Sequence, residues 1–177
     1  EAFEEAGALL VTRDGTAIDV QEVAMMQPWR KRLEVRELSF SDFCEEQSFE
    51  PSLESLRLMS RWMTPKIAAR QFDTYFFAVM MPEGQTLSHD GYEAVQSGWM
   101  RAGDVLEDYE ADAVKLMPPT YWTFRDSAAL QCATSPVEAL TGETVPLTRP
   151  VVRAEDGSTV IDVPGRGARP ADSFIRA

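Results

Sequence analysis

The sequence is poor in the residues that build zinc cages and disulfide frameworks. It has 2 cysteines, Cys44 and Cys132, and 1 histidine among 177 residues. A structural zinc site needs about four Cys or His ligands and a disulfide scaffold needs several cysteine pairs, so both classes are excluded. So few cysteines are typical of a reducing compartment, and we expect a cytoplasmic protein.

Long apolar runs and an excess of basic charge are also lacking. The longest apolar stretch, residues 75–81, is far shorter than the roughly 20 residues that cross a bilayer, so no membrane-spanning helix is expected. Formal net charge is -12, from 17 basic and 29 acidic side chains. A surface this acidic repels a phosphate backbone, which argues against a nucleic-acid partner. A small phosphorylated substrate is compatible, because a bound divalent cation reverses the local field.

The first third of the chain is predicted to be mainly helical. Residues 1–6 read as the end of a helix capped by Gly7, and residues 8–11 as a short buried strand. From Asp19, a candidate capping residue, helices are predicted to about residue 62, with a break at Pro28.

The remainder alternates between predicted strands and helices. Strands are predicted over residues 72–81 and 94–100, and helices over 102–109 and 118–132. Within residues 145–165 the pair Asp156–Gly157 predicts a hairpin turn, and the tail from Gly165 is expected to be poorly ordered. This part of the chain is therefore expected to contain both strands and helices.

Three glutamates cluster at the start of the chain. Glu1, Glu4 and Glu5 are spaced i, i+3 and i+4, which puts three carboxylates on one face of a helix. Hard oxygen ligands of this kind suit Mg²⁺ or Mn²⁺. The spacing alone is more typical of an exposed acidic helix end, but Gly7 and the apolar strand directly after it favour a metal site.

These residues carry a resemblance to a known family. The segment Glu1-Ala2-Phe3-Glu4-Glu5-Ala6-Gly7-Ala8 is similar to the second half of the Nudix box, with alanine at both positions that are usually aliphatic. Residues 61–65 and 70–77, with Gly98-Trp99 and residues 116–120, resemble signatures of the Nudix branch that includes coenzyme A and acyl-CoA diphosphatases. The first half of the box would precede Glu1, so we expect that upstream sequence and strands are missing.

The resemblance implies a single Nudix domain over residues 1–177. It would be an α/β/α sandwich with a mixed sheet and a helical insertion at about residues 19–62. It also allows a homodimer.

The implied activity is metal-dependent hydrolysis of a nucleoside diphosphate linked to another group, with coenzyme A or acyl-CoA as the leading substrate. Glu4 and Glu5 would bind Mg²⁺ or Mn²⁺, with Glu1 as a further ligand or general base. Glu93 is the candidate for an additional catalytic acid from a distant loop. Arg70 could hold a substrate phosphate, although an ion pair with Asp73 or a neighbouring residue is at least as good an interpretation.

Other functions fit the same residues. The substrate could instead be ADP-ribose or a nucleotide sugar, or the chain could be a non-catalytic Nudix fold that binds a nucleotide as a regulator. A structural protein whose acidic helix end is a coincidence is the third alternative. Trp62, Trp99 and Trp122 could stack on a nucleobase, but core packing is the default interpretation for each.

Overall fold

The computed structural model describes residues 2–91, 96–130, 136–140 and 144–174. The chain forms two compact units, each with its own core. The first comprises Glu1–Leu56 and Val79–Trp99, and the second comprises Arg57–Ala78 and Met100–Ala177. None of the helices in the described ranges has the length and apolar character needed to span a bilayer. The single domain over residues 1–177 stays a prediction.

The first unit, where the structure describes it, contains four short helices and a small sheet. In chain order they are α1 (Ala2–Ala6), β1 (Val11–Arg13), β2 (Thr16–Ala17), α2 (Val20–Met25), α3 (Gln27–Glu34), α4 (Phe40–Gln47) and β3 (Glu50–Pro51). The sheet has the order β2-β1-β3, and both pairings are antiparallel. The helices α2 to α4 are the predicted helical segment after the first strand.

The ends of these helices follow from local sequence signals. Gly7 has a φ of 73°, and its N–H donates to Phe3 O at 3.0 Å, which ends α1 in a left-handed cap. Asp19 caps α2 by accepting from the N–H of Glu22 at 2.8 Å. Pro28 lies in the first turn of α3, where its missing N–H costs no helical hydrogen bond. The predicted caps and the break at Pro28 are confirmed.

Phe43 of α4 lies at the centre of the core of the first unit. Its ring is fully buried and contacts four other aromatic rings, at centroid distances of 5.6 to 5.9 Å. These rings belong to Phe3, Trp29, Phe40 and Phe49. Phe3 is the buried residue of α1, so the helical segment packs directly against the helix that carries the candidate metal ligands.

Among its described residues, the second unit contains two further sheets and three helices. Its elements are β4 (Arg57–Met63), β5 (Asp73–Ala78), α5 (Ala102–Glu110), α6 (Pro118–Ala129), α7 (Pro136–Ala139), β6 (Leu147–Thr148), β7 (Val151–Glu155), β8 (Ser158–Val163) and β9 (Gly167–Pro170). The first sheet is mixed, because β4 pairs with β5 antiparallel and with β6 parallel. The second is an antiparallel meander in the order β7-β8-β9, with the predicted turn at Asp156–Gly157.

The prediction of helix as far as residue 62 is wrong at its C-terminal end. Helix α4 ends at Gln47, a 3₁₀ turn covers Leu53–Ser55, and β4 begins at Arg57. Leu53, Leu56 and Met59 are spaced as on one face of a helix, but pairing of β4 with the aromatic strand β5 determines the structure.

Two predictions in the C-terminal half are also wrong. Residues 96–100, the described part of the predicted strand 94–100, contain no strand, and Trp99 is 75% exposed. The described part of the tail forms β9 and a 3₁₀ turn over Ala171–Ser173, and Phe174 is buried among aromatic rings including Tyr109 and Tyr121. A buried aromatic side chain keeps this segment in place, which a composition rich in Gly and Pro does not reveal.

Candidate metal and active site

Glu4 and Glu5 lie side by side on α1, the five-residue helix that precedes Gly7. Both side chains are half-buried. The buried side chain of Phe3 determines which face of α1 points toward the core. Glu1 lies outside the described residues, so its position relative to Glu4 and Glu5 stays a prediction.

A loop from Pro82 to Gly91 runs along the C-terminal end of α1. The N–H of Ser88 donates to Ala6 O at 3.0 Å, and the N–H of Asp90 donates to Glu5 O at 3.2 Å. These bonds satisfy carbonyl groups that the end of a helix leaves without helical partners.

The same loop is held further along by the side chain of Gln85. Its carbonyl oxygen accepts from the N–H of Leu9 at 3.0 Å, and its amide donates to Leu9 O at 2.9 Å. The side chain thus bonds to the backbone of Leu9 as a neighbouring strand would. The loop that leads toward Glu93 is therefore attached to the segment 5–9, although Glu93 itself lies outside the described residues.

Arg30 of α3 joins this loop to α1. The side chain is buried, with 4% exposure, and donates to Glu4 O, Ser88 Oγ and Ser88 O, each at 2.9 Å. A carboxylate oxygen of Glu34, one turn along α3, lies 3.5 Å from Arg30 Nε and balances its charge. Such a cation at the C-terminal end of α1 is also favoured by the helix dipole.

Gly7 leaves the space that this arrangement needs. A Cβ atom at this position would lie 3.0 Å from Ser88 Oγ and 3.1 Å from Arg30 Nη1. Gly7 therefore serves both as the left-handed cap of α1 and as the place where Arg30 and Ser88 approach the backbone.

Arg30, Gln85 and Ser88 were not predicted from the sequence. The spacing of the sequence does indicate that Arg30 lies on a buried helix face. Arg30 comes four residues after Met26 and three before Leu33, and both are buried on the same face of the helical segment. Gln85 and Ser88 lie in a polar loop, where the sequence carries no sign of their contacts.

The structure does not pair Arg70 with Asp73. Arg70 is exposed, and Asp73 instead accepts from Arg61 Nε at 2.9 Å across the β4–β5 pair. The hydrogen bond from Arg61 is the main cause that lowers the pKa of Asp73 below its usual range. The alternative in which Arg70 pairs with Asp73 is therefore wrong, and the substrate-binding role of Arg70 stays a prediction.

The tryptophans divide between core and surface. Trp62 and Trp122 are buried in the core of the second unit, as expected. Trp99, for which core packing was the default interpretation, is exposed. Cys44 is buried in the core of the first unit, and loss of solvent raises the pKa of its thiol.

The donor atoms of Glu4 and Glu5 fit Mg²⁺ or Mn²⁺ in kind. Carboxylate oxygens are the ligands that these ions prefer, and they commonly need one or two carboxylates besides water and substrate phosphates. Within the described part of the chain, no group of three or more Asp, Glu, His or Cys side chains could hold a metal ion. The candidate site there consists of Glu4 and Glu5.

Comparison with known proteins assigns the family. The sequence matches the family described as the NUDT19 Nudix domain over residues 1–126, which include α1 and the loop that contacts it. The chain belongs to this Nudix family, and its α/β fold class and the resemblance of its motifs to the acyl-CoA diphosphatase branch are confirmed.

Two curated relatives bear the same family name. Acyl-coenzyme A diphosphatase NUDT19 of Xenopus laevis is 27% identical over 135 residues, which cover 69% of this chain and 36% of that protein. The protein of the same name from Gallus gallus is 26% identical over 139 residues, covering 69% of this chain and 37% of that protein. The chain thus spans somewhat more than a third of the length of these relatives. No solved structure matches it.

Proposed function

We propose that the chain belongs to a metal-dependent Nudix pyrophosphohydrolase that cleaves the diphosphate of coenzyme A or an acyl-CoA. The observation that carries the proposal is the family match, which covers residues 1–126 and includes Glu4, Glu5 and Gly7 of the box. The names of the two relatives support the substrate class.

Glu4 and Glu5 would hold Mg²⁺ or Mn²⁺, with Glu1 as a further ligand or as general base. Such a cation neutralises charge on the diphosphate and makes water more acidic. Water then attacks one phosphorus, the bond to the bridging oxygen breaks, and the bridging oxygen leaves with the other phosphate. Glu1 or Glu93 would accept the proton of the attacking water.

The test uses the full-length protein with Mg²⁺ or Mn²⁺ and a panel of coenzyme A, acetyl-CoA, ADP-ribose and NADH. We expect release of phosphopantetheine from coenzyme A. Loss of a direct ligand in Glu4→Gln should lower kcat about a hundredfold or more, since even residues that only support metal ligands typically cost 10- to 100-fold. Glu46→Gln is the matched control, because Glu46 is exposed on α4.

The other outcomes identify the alternatives. Cleavage of ADP-ribose or NADH in preference to coenzyme A would keep the chemistry and refute the substrate. Metal binding that depends on Glu4 without turnover of any substrate would indicate a nucleotide-binding regulator. Light scattering of the same preparation tests the homodimer that the resemblance allows, and the cytoplasmic location stays a prediction.

A further inference from the structure

Arg30 has a charged side chain that is buried in the first unit, which is unusual for a charged residue. Burying a guanidinium removes its hydration, and apolar side chains of similar volume commonly stabilise a core as well or better. Its neighbours along the buried face of the helical segment, Met26 and Leu33, are apolar. Arg30 is therefore placed where packing alone would favour a hydrophobic residue.

The contacts of Arg30 explain its presence in the core better than packing does. Within the described ranges, its three hydrogen bonds go to the main chain of Glu4 and to both oxygens of Ser88. Glu4 O belongs to a candidate metal ligand, and Ser88 is the loop residue whose N–H bonds to Ala6 at the end of α1. One side chain thus fixes the helix and its loop together.

The planar guanidinium is suited to this task. Nε, Nη1 and Nη2 donate in fixed directions, and here each reaches a different acceptor atom at 2.9 Å. A lysine ammonium is a single point of charge on a flexible stem, so it could not hold Glu4 O and both oxygens of Ser88 with the same geometry.

We propose that Arg30 is a positioning residue of the metal site: it orients α1 so that the carboxylates of Glu4 and Glu5 are presented to a divalent cation. The proposal rests on the proposed function for the assignment of Glu4 and Glu5 as ligands. Arg30 does not contact the metal or the substrate in this role, but acts through the backbone of Glu4 and through Ser88.

The experiment compares Arg30→Lys with Arg32→Lys in the full-length protein. Arg32 is on the same helix, but it pairs with Glu37 at 2.8 Å and stacks on Trp29. Mn²⁺ affinity is measured by electron paramagnetic resonance without substrate, at a temperature where circular dichroism shows each variant folded. Steady-state kinetics with coenzyme A follow.

We expect Arg30→Lys to weaken Mn²⁺ binding by about 10- to 100-fold and to lower kcat by a similar factor, as for other residues that orient metal ligands. KM for coenzyme A should change less than about threefold, and Arg32→Lys should leave all three values within about twofold of the wild type. A residue that only supports folding would lower the melting temperature but leave the Mn²⁺ affinity of the folded protein unchanged. That result would overturn the proposal.

Ser88→Ala provides a second variant should Arg30→Lys fail to fold. It removes one acceptor of Arg30 and leaves the two backbone acceptors, so we expect a smaller but measurable loss of Mn²⁺ affinity, about threefold. An unchanged affinity in folded Ser88→Ala would then refute the role of Arg30.

The controls separate this proposal from the proposed function. Mn²⁺ binding that Glu4→Gln weakens, without hydrolysis of coenzyme A, would refute the activity, and the affinities of the Arg30 variants would still decide the positioning role. Mn²⁺ binding that Glu4→Gln leaves unchanged would refute both.

Discussion

Replacement of Phe43 by alanine tests whether the aromatic cluster of the first unit holds α1 in place. Phe43 is 0% exposed and contacts the rings of Phe3, Trp29, Phe40 and Phe49. Alanine removes the whole ring from the centre of this cluster, and neighbours attached to three helices and a loop cannot all move to fill the space.

The expected cost follows from the burial of the ring. A buried Phe→Ala substitution lowers the free energy of unfolding by about 3–5 kcal/mol, and the many aromatic contacts place Phe43 toward the upper end. If the free energy of unfolding falls by about 2 kcal/mol per molar urea, a destabilisation of about 4 kcal/mol lowers the urea midpoint by about 2 M. Phe43→Leu keeps part of the volume and should lose about half as much.

Urea unfolding of the full-length protein, followed by circular dichroism and by fluorescence, measures this shift. Phe72→Ala is the matched control, since Phe72 is 60% exposed and its loss should cost less than about 0.5 kcal/mol. A midpoint for Phe43→Ala that falls by no more than that of Phe72→Ala would refute the assignment of Phe43 to the core centre.

Two further predictions concern titratable groups. Burial raises the pKa of the Cys44 thiol, so we expect iodoacetamide to label Cys44 at pH 8 only in urea, as peptide mass spectrometry would show; rapid labelling of the folded protein would contradict its burial. The hydrogen bond from Arg61 lowers the pKa of Asp73, so the stabilisation is present above the unfolded pKa of about 3.9 and is lost as the pH falls through the lower folded value. Asp73→Asn should therefore lower the melting temperature more at pH 7 than at about pH 3, and equal losses at both values would refute the pairing.

Elements with local signals were predictable from the sequence. The cap at Gly7, the capping residue Asp19 and the turn at Asp156–Gly157 each depend on residues within a few positions of one another. The acidic helix could be recognised for the same reason, because its glutamates are neighbours in the chain. An element can be predicted from its sequence where residues close to one another in the chain determine its conformation.

Features that depend on distant partners were not predictable. Strand β4 exists because β5 and β6 pair with it, and its own spacing of apolar residues equally suits a helix. The contacts of Arg30 with Ser88 join residues 58 positions apart, and the sequence around Ser88 contains no pattern that predicts them. The order of the tail likewise depends on Phe174 reaching Tyr109 and Tyr121, which lie on two earlier helices.

The parallel pairing of β4 with β6 has a consequence for how the second unit folds. The meander β7-β8-β9 is joined by short turns and can form while its segment is still isolated, since little chain entropy is lost in closing such loops. Arg61 and Leu147, in contrast, are far apart in the chain, with α5 and α6 between them, so their pairing closes a long loop. Because distant pairings are formed slowly, we expect the meander to be protected from hydrogen exchange early in refolding and the strand β6 to be protected last.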